Sequence, residues 1–178
     1  MIGGAVEALY EDFRGLRSAA AQDPSGLAAL ERIYPKALLL ASASFLEVAT
    51  VEVIAGLFSR PEAPELRSFV EKQALKRKFH TLFDWDSRRA TSFFGYFGDA
   101  CKSRYVARKR DDAQFSDVVE AFLEIGSLRN QLVHNNYAEF QLPKTAGDVI
   151  TLHGNASRFP GLIVELVSES PAQTGSAA

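Results

Sequence analysis

Ser127-Leu128-Arg129-Asn130-Gln131-Leu132-Val133-His134-Asn135-Asn136-Tyr137 is the stretch whose reading decides the fold. It is the C-terminal half of a segment from about Phe115 to Phe140 whose period predicts one long amphipathic helix. At about 100° per residue, Phe115, Val118, Val119, Phe122, Gly126, Val133, Tyr137 and Phe140 share one side. Asp117, Glu120, Glu124, Gln131 and Asn135 share the other. Two residues break the order. Arg129 falls inside the apolar stripe one turn before Val133, and Asn130 lies beside it. A guanidinium facing a core is costly unless an anion or several acceptors meet it. His134 is i+4 from Asn130 and shares its side of the helix. Arg129 and His134 are separated by about 140° of rotation and roughly 7.5 Å of rise, close enough for a long arginine stem to meet the imidazole at one cleft.

Outward from this stretch the chain reads as helical almost throughout. A first helix is predicted over Val6–Ala21, stopped by the turn residues Asp23-Pro24-Ser25-Gly26. Another runs over Leu27–Tyr34, with Pro35 either kinking it or opening the next helix. Lys36–Ser59 is apolar on most sides and is expected to be the central, best-buried helix. Its neighbours place Glu47 facing inward, where Arg129 is the natural partner. That pairing gives Arg129 a purely structural alternative, the fixing of helix register.

Arg60-Pro61-Glu62-Ala63-Pro64 breaks the pattern, and Glu65–His80 is predicted as a basic helix. An aromatic link then leads to Asp86 or Ser87 as N-cap of a helix from Arg88 to about Lys109. Its aromatics Phe93, Phe94, Tyr96 and Phe97 favour core contacts over base stacking. Beyond the central stretch, Thr145 and Asp148 resemble a capping box, and helical spacing continues to Leu166 with a bend or break at Pro160-Gly161. The β-branched pair Ile163-Val164 leaves a strand as the lesser alternative. The expected architecture is an all-α bundle, one domain over residues 1–168, followed by a disordered tail at 169–178.

Composition excludes several classes of protein. One cysteine in 178 residues rules out an internal disulfide framework and a cysteine zinc cluster, and fits a reducing cytoplasm. Cys101 is read as a buried, inert thiol, with Lys102 and Arg104 nearby. No signal peptide is expected from Met1-Ile2-Gly3-Gly4. The most apolar run, Ala37–Leu46, reads as too short and too polar for a membrane span. Neither a Gly-x-Gly-x-x-Gly motif nor a Walker loop is present. His80 and Asp84 at i,i+4, with Asp86 near, lack a third strong metal ligand, so no metal or cofactor is expected. His153 reads as a satisfied or solvated histidine.

Charge is unevenly distributed. The net value is −2, yet residues 67–110 hold twelve Lys and Arg against four Asp and Glu. Such a basic middle suits a polyanion, and the bland alternative is a solvated surface paired with the acidic flanks.

Arg129-Asn130-Gln131-Leu132-Val133-His134 resembles the Arg-x4–6-His signature of the HEPN superfamily (higher eukaryote and prokaryote nucleotide-binding), where a polar residue, often Asn, follows the arginine. Ser44-Phe45-Leu46-Glu47 resembles the family's early helix with its acidic residue. Phe93-Phe94-Gly95-Tyr96-Phe97 and Thr145-Ala146-Gly147-Asp148-Val149 resemble the RiboL-PSP-HEPN subgroup. The likeness covers roughly Leu27 to Val167. It stops short of the His-x-Tyr of some family toxins, because Asn135 and Asn136 precede Tyr137.

The resemblance implies a HEPN-like helical bundle and a metal-independent endoribonuclease. The family's usual state is a homodimer in which the motifs of both protomers meet in one cleft. Arg129, Asn130 and His134 would be catalytic, leaving a 2′,3′-cyclic phosphate and a 5′-OH. Lys76, Arg77, Lys78, Arg108, Lys109 and Arg110 would guide the RNA, and Glu47 and Tyr137 would be structural or orienting. A cytoplasmic toxin or defence effector restrained by an antitoxin or other regulatory protein is the role implied. A non-catalytic dimer that binds RNA or protein is the alternative, with an unrelated helical adaptor behind it.

Overall fold

Asp23 and Pro24 begin the longest helix, against which four others pack. The Asp23 carboxylate accepts a hydrogen bond from the Ser25 amide at 3.1 Å, and Pro24 takes the first helical position, where its missing N–H costs nothing. The computed structural model describes residues 4–59, Val70, Leu75 and 78–168. Its helices are Gly4–Ala19 (α1), Pro24–Leu57 (α2), Phe79–Leu82 (α3), Thr91–Gly95 (α4), Asp99–Asp111 (α5), Ala113–His134 (α6), Ala146–Ala156 (α7) and Phe159–Ser168 (α8). A 3-10 turn, Ala20–Gln22, joins α1 to α2. The described residues are all-α and contain no strand. Most of the expected Glu65–His80 helix, including Lys76 and Arg77, and the 169–178 tail lie outside the described residues.

Of the two readings of Pro35, the opening of a new helix is not the one observed. Pro35 lies buried inside α2, and the helix continues through it for 34 residues in all. The hydrogen bond a proline removes belongs to the carbonyl four residues back, here on exposed Glu31, where water can replace it. Burial of Leu38, Leu39, Leu46, Val51, Ile54 and Ala55 stabilises the helix beyond the break in its ladder. Helices α1, α6, α7 and α8 all lie against α2. By length and composition α2, unlike the Ala37–Leu46 run alone, is also long and apolar enough to cross a membrane, its 18-residue window reaching a mean hydropathy of 1.8.

Helix α6 starts as read, with the Asp112 side chain accepting from the Phe115 amide at 2.9 Å. It ends at His134, six residues before the expected Phe140. Asparagine side chains compete with the helical ladder. The Asn135 amide donates to Gln131 O at 2.6 Å, and Asn136 Oδ1 accepts from Ala138 N at 3.2 Å. A long-range contact completes the stop. Buried Lys36 of α2 donates to the Tyr137 carbonyl at 2.7 Å and lies over the Tyr137 ring.

The apolar face of α6 also differs from the one drawn on the wheel. In its second half Ile125, Leu128 and Leu132 are buried, whereas Val133 is 51% and Tyr137 43% exposed. Arg129 therefore flanks the buried face at a cleft, half-buried, and does not enter the sealed core.

The Arg88–Lys109 helix resolves into three pieces. Asp84 and Arg89 exchange backbone hydrogen bonds of 3.1 and 2.9 Å, closing a tight turn in which the Asp84 side chain accepts from Ser87 N at 3.0 Å; neither Asp86 nor Ser87 caps a helix, because α4 begins at Thr91 after Ala90, which makes no side-chain cap. Hydrogen bonds from the Ser87 backbone and then its side chain, with the nearby Arg89 charge, hold the Asp84 carboxyl below its ordinary range. Gly98, at φ 99°, then separates α4 from α5, a conformation that favours glycine. Phe93 and Phe94 are buried core residues, as read; Tyr96 is 68% exposed.

Thr145 and Asp148 do form a capping box at the start of α7. Thr145 Oγ1 accepts from Asp148 N at 3.1 Å, and the Asp148 carboxylate accepts from Thr145 N at 2.8 Å. Thr145→Ala is expected to cost about 1 kcal/mol. A thermal melt would read this as a midpoint roughly 3 °C lower. The break near Pro160 falls at Ser157-Arg158, and Ile163-Val164 are helical, which settles the strand alternative against it. The Phe159 ring stacks on Phe122 with centroids 3.9 Å apart and closes the core between α6 and α8.

Candidate functional site

The last three turns of α6 form one wall of a two-chambered hollow. An inner cavity of about 140 Å³ is lined by Glu47 of α2, by Trp85 and Phe122, and by Arg129 and Asn130. An outer, open cleft of about 480 Å³ is lined by His80, Asp84, Asp86, Arg129, Asn130 and His134. His80, Trp85, Arg129 and Asn130 belong to both, so the chambers adjoin along one wall. Arg129 and His134 thus face the same cleft within one chain. Tyr137 lies beyond the helix end, held by Lys36.

Trp85 reaches this position because of a glycine. A Cβ at Gly126 would overlap Cζ3 and Cε3 of the indole, so only glycine lets the ring lie flat against α6. The indole N–H donates to the His80 carbonyl at 2.8 Å, and Phe79, Phe83 and Phe122 surround the ring with centroids 6.0, 4.9 and 5.7 Å away. That cluster fixes the backbone of His80 beside the cleft.

Arg129 donates to Asn130 Oδ1 at 3.2 Å. Glu47, the partner expected from the sequence, lines the same cavity, but no ion pair joins the two. Both are only half-buried, so water carries part of their solvation and neither charge requires the other. The guanidinium and the carboxylate are consequently left facing shared space.

Arg108, Lys109 and Arg110 are not gathered here, and Lys76 and Arg77 lie outside the described residues. Lys78 is exposed near the start of α3. Arg108, Lys109 and Arg110 stand at the C-terminal end of α5, next to the N-terminus of α6. About 18 helical residues separate that end from Asn130, a distance of roughly 27 Å along α6. Three of their contacts are acidic: Arg108 with Glu165 at 3.0 Å, Lys109 with Glu120 at 3.7 Å and Arg110 with Asp111 at 2.7 Å. The paired-surface alternative describes this cluster better than an RNA track leading to the cleft.

His80 and Trp85 were missed as site residues. His80 was weighed only as a metal ligand, and its i+4 spacing to Asp84 was the one available signal. Among the described residues no group of three or more His, Cys, Asp and Glu side chains is placed to hold a metal ion. Cys101 is buried beneath α8, its Sγ 3.8 Å from the Leu166 carbonyl.

His153 is the clearest departure. It is neither solvated nor satisfied: the ring is fully buried, both nitrogens lack a hydrogen-bond partner, and Phe45 stacks edge-on with centroids 5.1 Å apart. Burial lowers its pKa, opposed in part by Glu7 at 3.7 Å. The folded chain therefore takes up this proton at lower pH than the unfolded chain. The stability concerned is intact above the ordinary value of 6.5 and drains away as pH falls toward the folded pKa. Melting curves between about pH 7 and pH 5 are expected to show a fall that His153→Leu flattens. An unchanged slope in that variant would remove His153 as the cause.

Comparison with protein-family models, with curated proteins and with solved structures finds no match for this chain.

Proposed function

We propose that this chain is a HEPN-type endoribonuclease that cleaves RNA without a metal ion. The observation that carries the reading is the shared cleft: Arg129, Asn130 and His134 meet there, and His80 adds a second imidazole. Cleavage of a ribose-phosphate linkage needs this set. The 2′-OH attacks the adjacent phosphorus while one imidazole takes its proton. The P–O5′ bond breaks, and the other imidazole returns a proton to the leaving 5′ oxygen. The products are a 2′,3′-cyclic phosphate and a 5′-OH. Arg129 meets the charge that builds on the non-bridging oxygens. Asn130, bonded to Arg129, holds the guanidinium in place.

In this reading a second copy completes the cleft, as the family resemblance implies, and exposed Val133 and Tyr137 flank it with apolar surface suited to that contact. The role remains that of a toxin or defence effector restrained by a partner protein.

A second reading is a non-catalytic module that binds RNA or protein; its protein-binding form draws on Asp84 and Asp86, which line the same cleft and oppose a phosphate. One experiment separates them. Purified protein is incubated with RNA in EDTA and the new ends are analysed. Cyclic phosphate and 5′-OH ends support the nuclease; binding without cleavage supports the module.

A further inference from the structure

The inner cavity adjoins the cleft where the phosphate would react, shares His80, Trp85, Arg129 and Asn130 with it, and adds Glu47 and an apolar wall of its own. We infer that it is a subsite for a single-ring nucleobase, cytosine, belonging to the nucleotide whose 3′ phosphate lies in the outer cleft. The inference rests on the nuclease reading for its choice of ligand class.

Size decides between one ring and two. At about 140 Å³ the cavity is close to the roughly 150 Å³ that accommodates benzene in a protein interior. A single ring fills that space, and the second ring of a purine would project from it into the adjoining cleft. The walls are apolar and aromatic along Leu46, Phe79, Trp85 and Phe122, which suits a flat ring.

Polar groups decide between the two pyrimidines. The Watson–Crick edge of cytosine offers one amino donor, N4, and two acceptors, N3 and O2. Glu47 supplies an acceptor for the amino group. Arg129 occupies Asn130 Oδ1 and so orients that side chain with its NH₂ as the donor toward the ring acceptors. Uracil puts a carbonyl where cytosine has its amino group, leaving the carboxylate opposite another acceptor. A site built around a hydrogen bond rejects the analogue that cannot make it. Because Trp85, Arg129 and Asn130 border both chambers, base and phosphate of one nucleotide can be held at once.

Trp85 is the only tryptophan in the chain and lines the cavity, so its fluorescence reports occupancy. Titration of the full-length protein with cytidine 3′-monophosphate is expected to give a saturable change. Uridine 3′-monophosphate should bind about tenfold more weakly, and the purine nucleotides more weakly still. Glu47→Gln should erase the preference for cytidine over uridine. Ala43→Leu, which fills the cavity from α2, should weaken every nucleotide while the helical signal by circular dichroism stays unchanged. No saturable change with the cytidine nucleotide, equal binding of cytidine and uridine, or indifference to both substitutions would overturn the assignment.

Cleavage of a mixed-sequence RNA separates the two failures. Cuts that ignore the base on the 5′ side of the scissile bond would sink the subsite and leave the nuclease standing. Cytidine binding with no cleavage would do the reverse.

Discussion

Arg129→Ala and His134→Ala proteins are expected to lose RNA cleavage in EDTA by at least about a hundredfold each, with folding intact. Removal of a positioned proton-transfer group costs typically 10²–10⁴ in rate. Loss of one donor to a developing oxyanion costs about 10²–10³. His134 is exposed and Arg129 only half-buried and unpaired with Glu47, so neither deletion strands a buried charge. Thermal midpoints should stay within a few degrees of the parent. His80→Ala tests the second imidazole: a loss comparable to that of His134→Ala assigns it the other proton transfer, and full activity removes it from the mechanism. Retained cleavage in both the Arg129 and His134 variants would end the nuclease proposal.

Gly126→Ala is expected to destabilise the protein by about 2–3 kcal/mol, a fall of roughly 5–10 °C in thermal midpoint. Two effects compete. Alanine is the better helix former by about 1 kcal/mol, which favours the variant. Against this, the new methyl group would occupy the space of the Trp85 ring. That ring cannot retreat cheaply, because Phe79, Phe83 and Phe122 hold it and its N–H is bonded to the His80 carbonyl. The overlap wins. The same displacement would deform both chambers, so cleavage and nucleotide binding should fall together. In a Trp85→Leu background the Gly126→Ala cost should shrink, a non-additivity measurable by a double-mutant cycle. A Gly126→Ala protein as stable as the parent would show that the indole does not lie where described.

Local chemistry was readable where it acts over one or two turns. The Thr145–Asp148 box was visible because a capping side chain bonds an amide within three residues of itself. The all-α class followed from hydrophobic period alone. Asp23-Pro24 was recognised as turn chemistry, but the same residues that stop α1 also start α2, and period alone does not show that the helix survives Pro35. Of the candidate site, the Arg129–His134 pair could be placed on one stretch of helix, since both sit within a single run of known geometry.

The rest depended on contacts between distant parts of the chain. Lys36 meets the Tyr137 carbonyl across 101 residues and helps to end α6 at His134. Trp85 lies on Gly126, which brings His80 to the cleft; no spacing rule links positions so far apart. Arg108 meets Glu165, turning a basic run into a paired surface. His153 is sealed between elements whose own patterns say nothing of the seal. The sequence by itself determined the all-α class, the start of α7 at its capping box, and that an arginine and a histidine stand on one late helix. Only the tertiary structure decided which residues share a hollow and which charges are left unpaired, because helix formation is governed by neighbours a few residues away whereas a cavity is made by side chains that meet only after the helices pack.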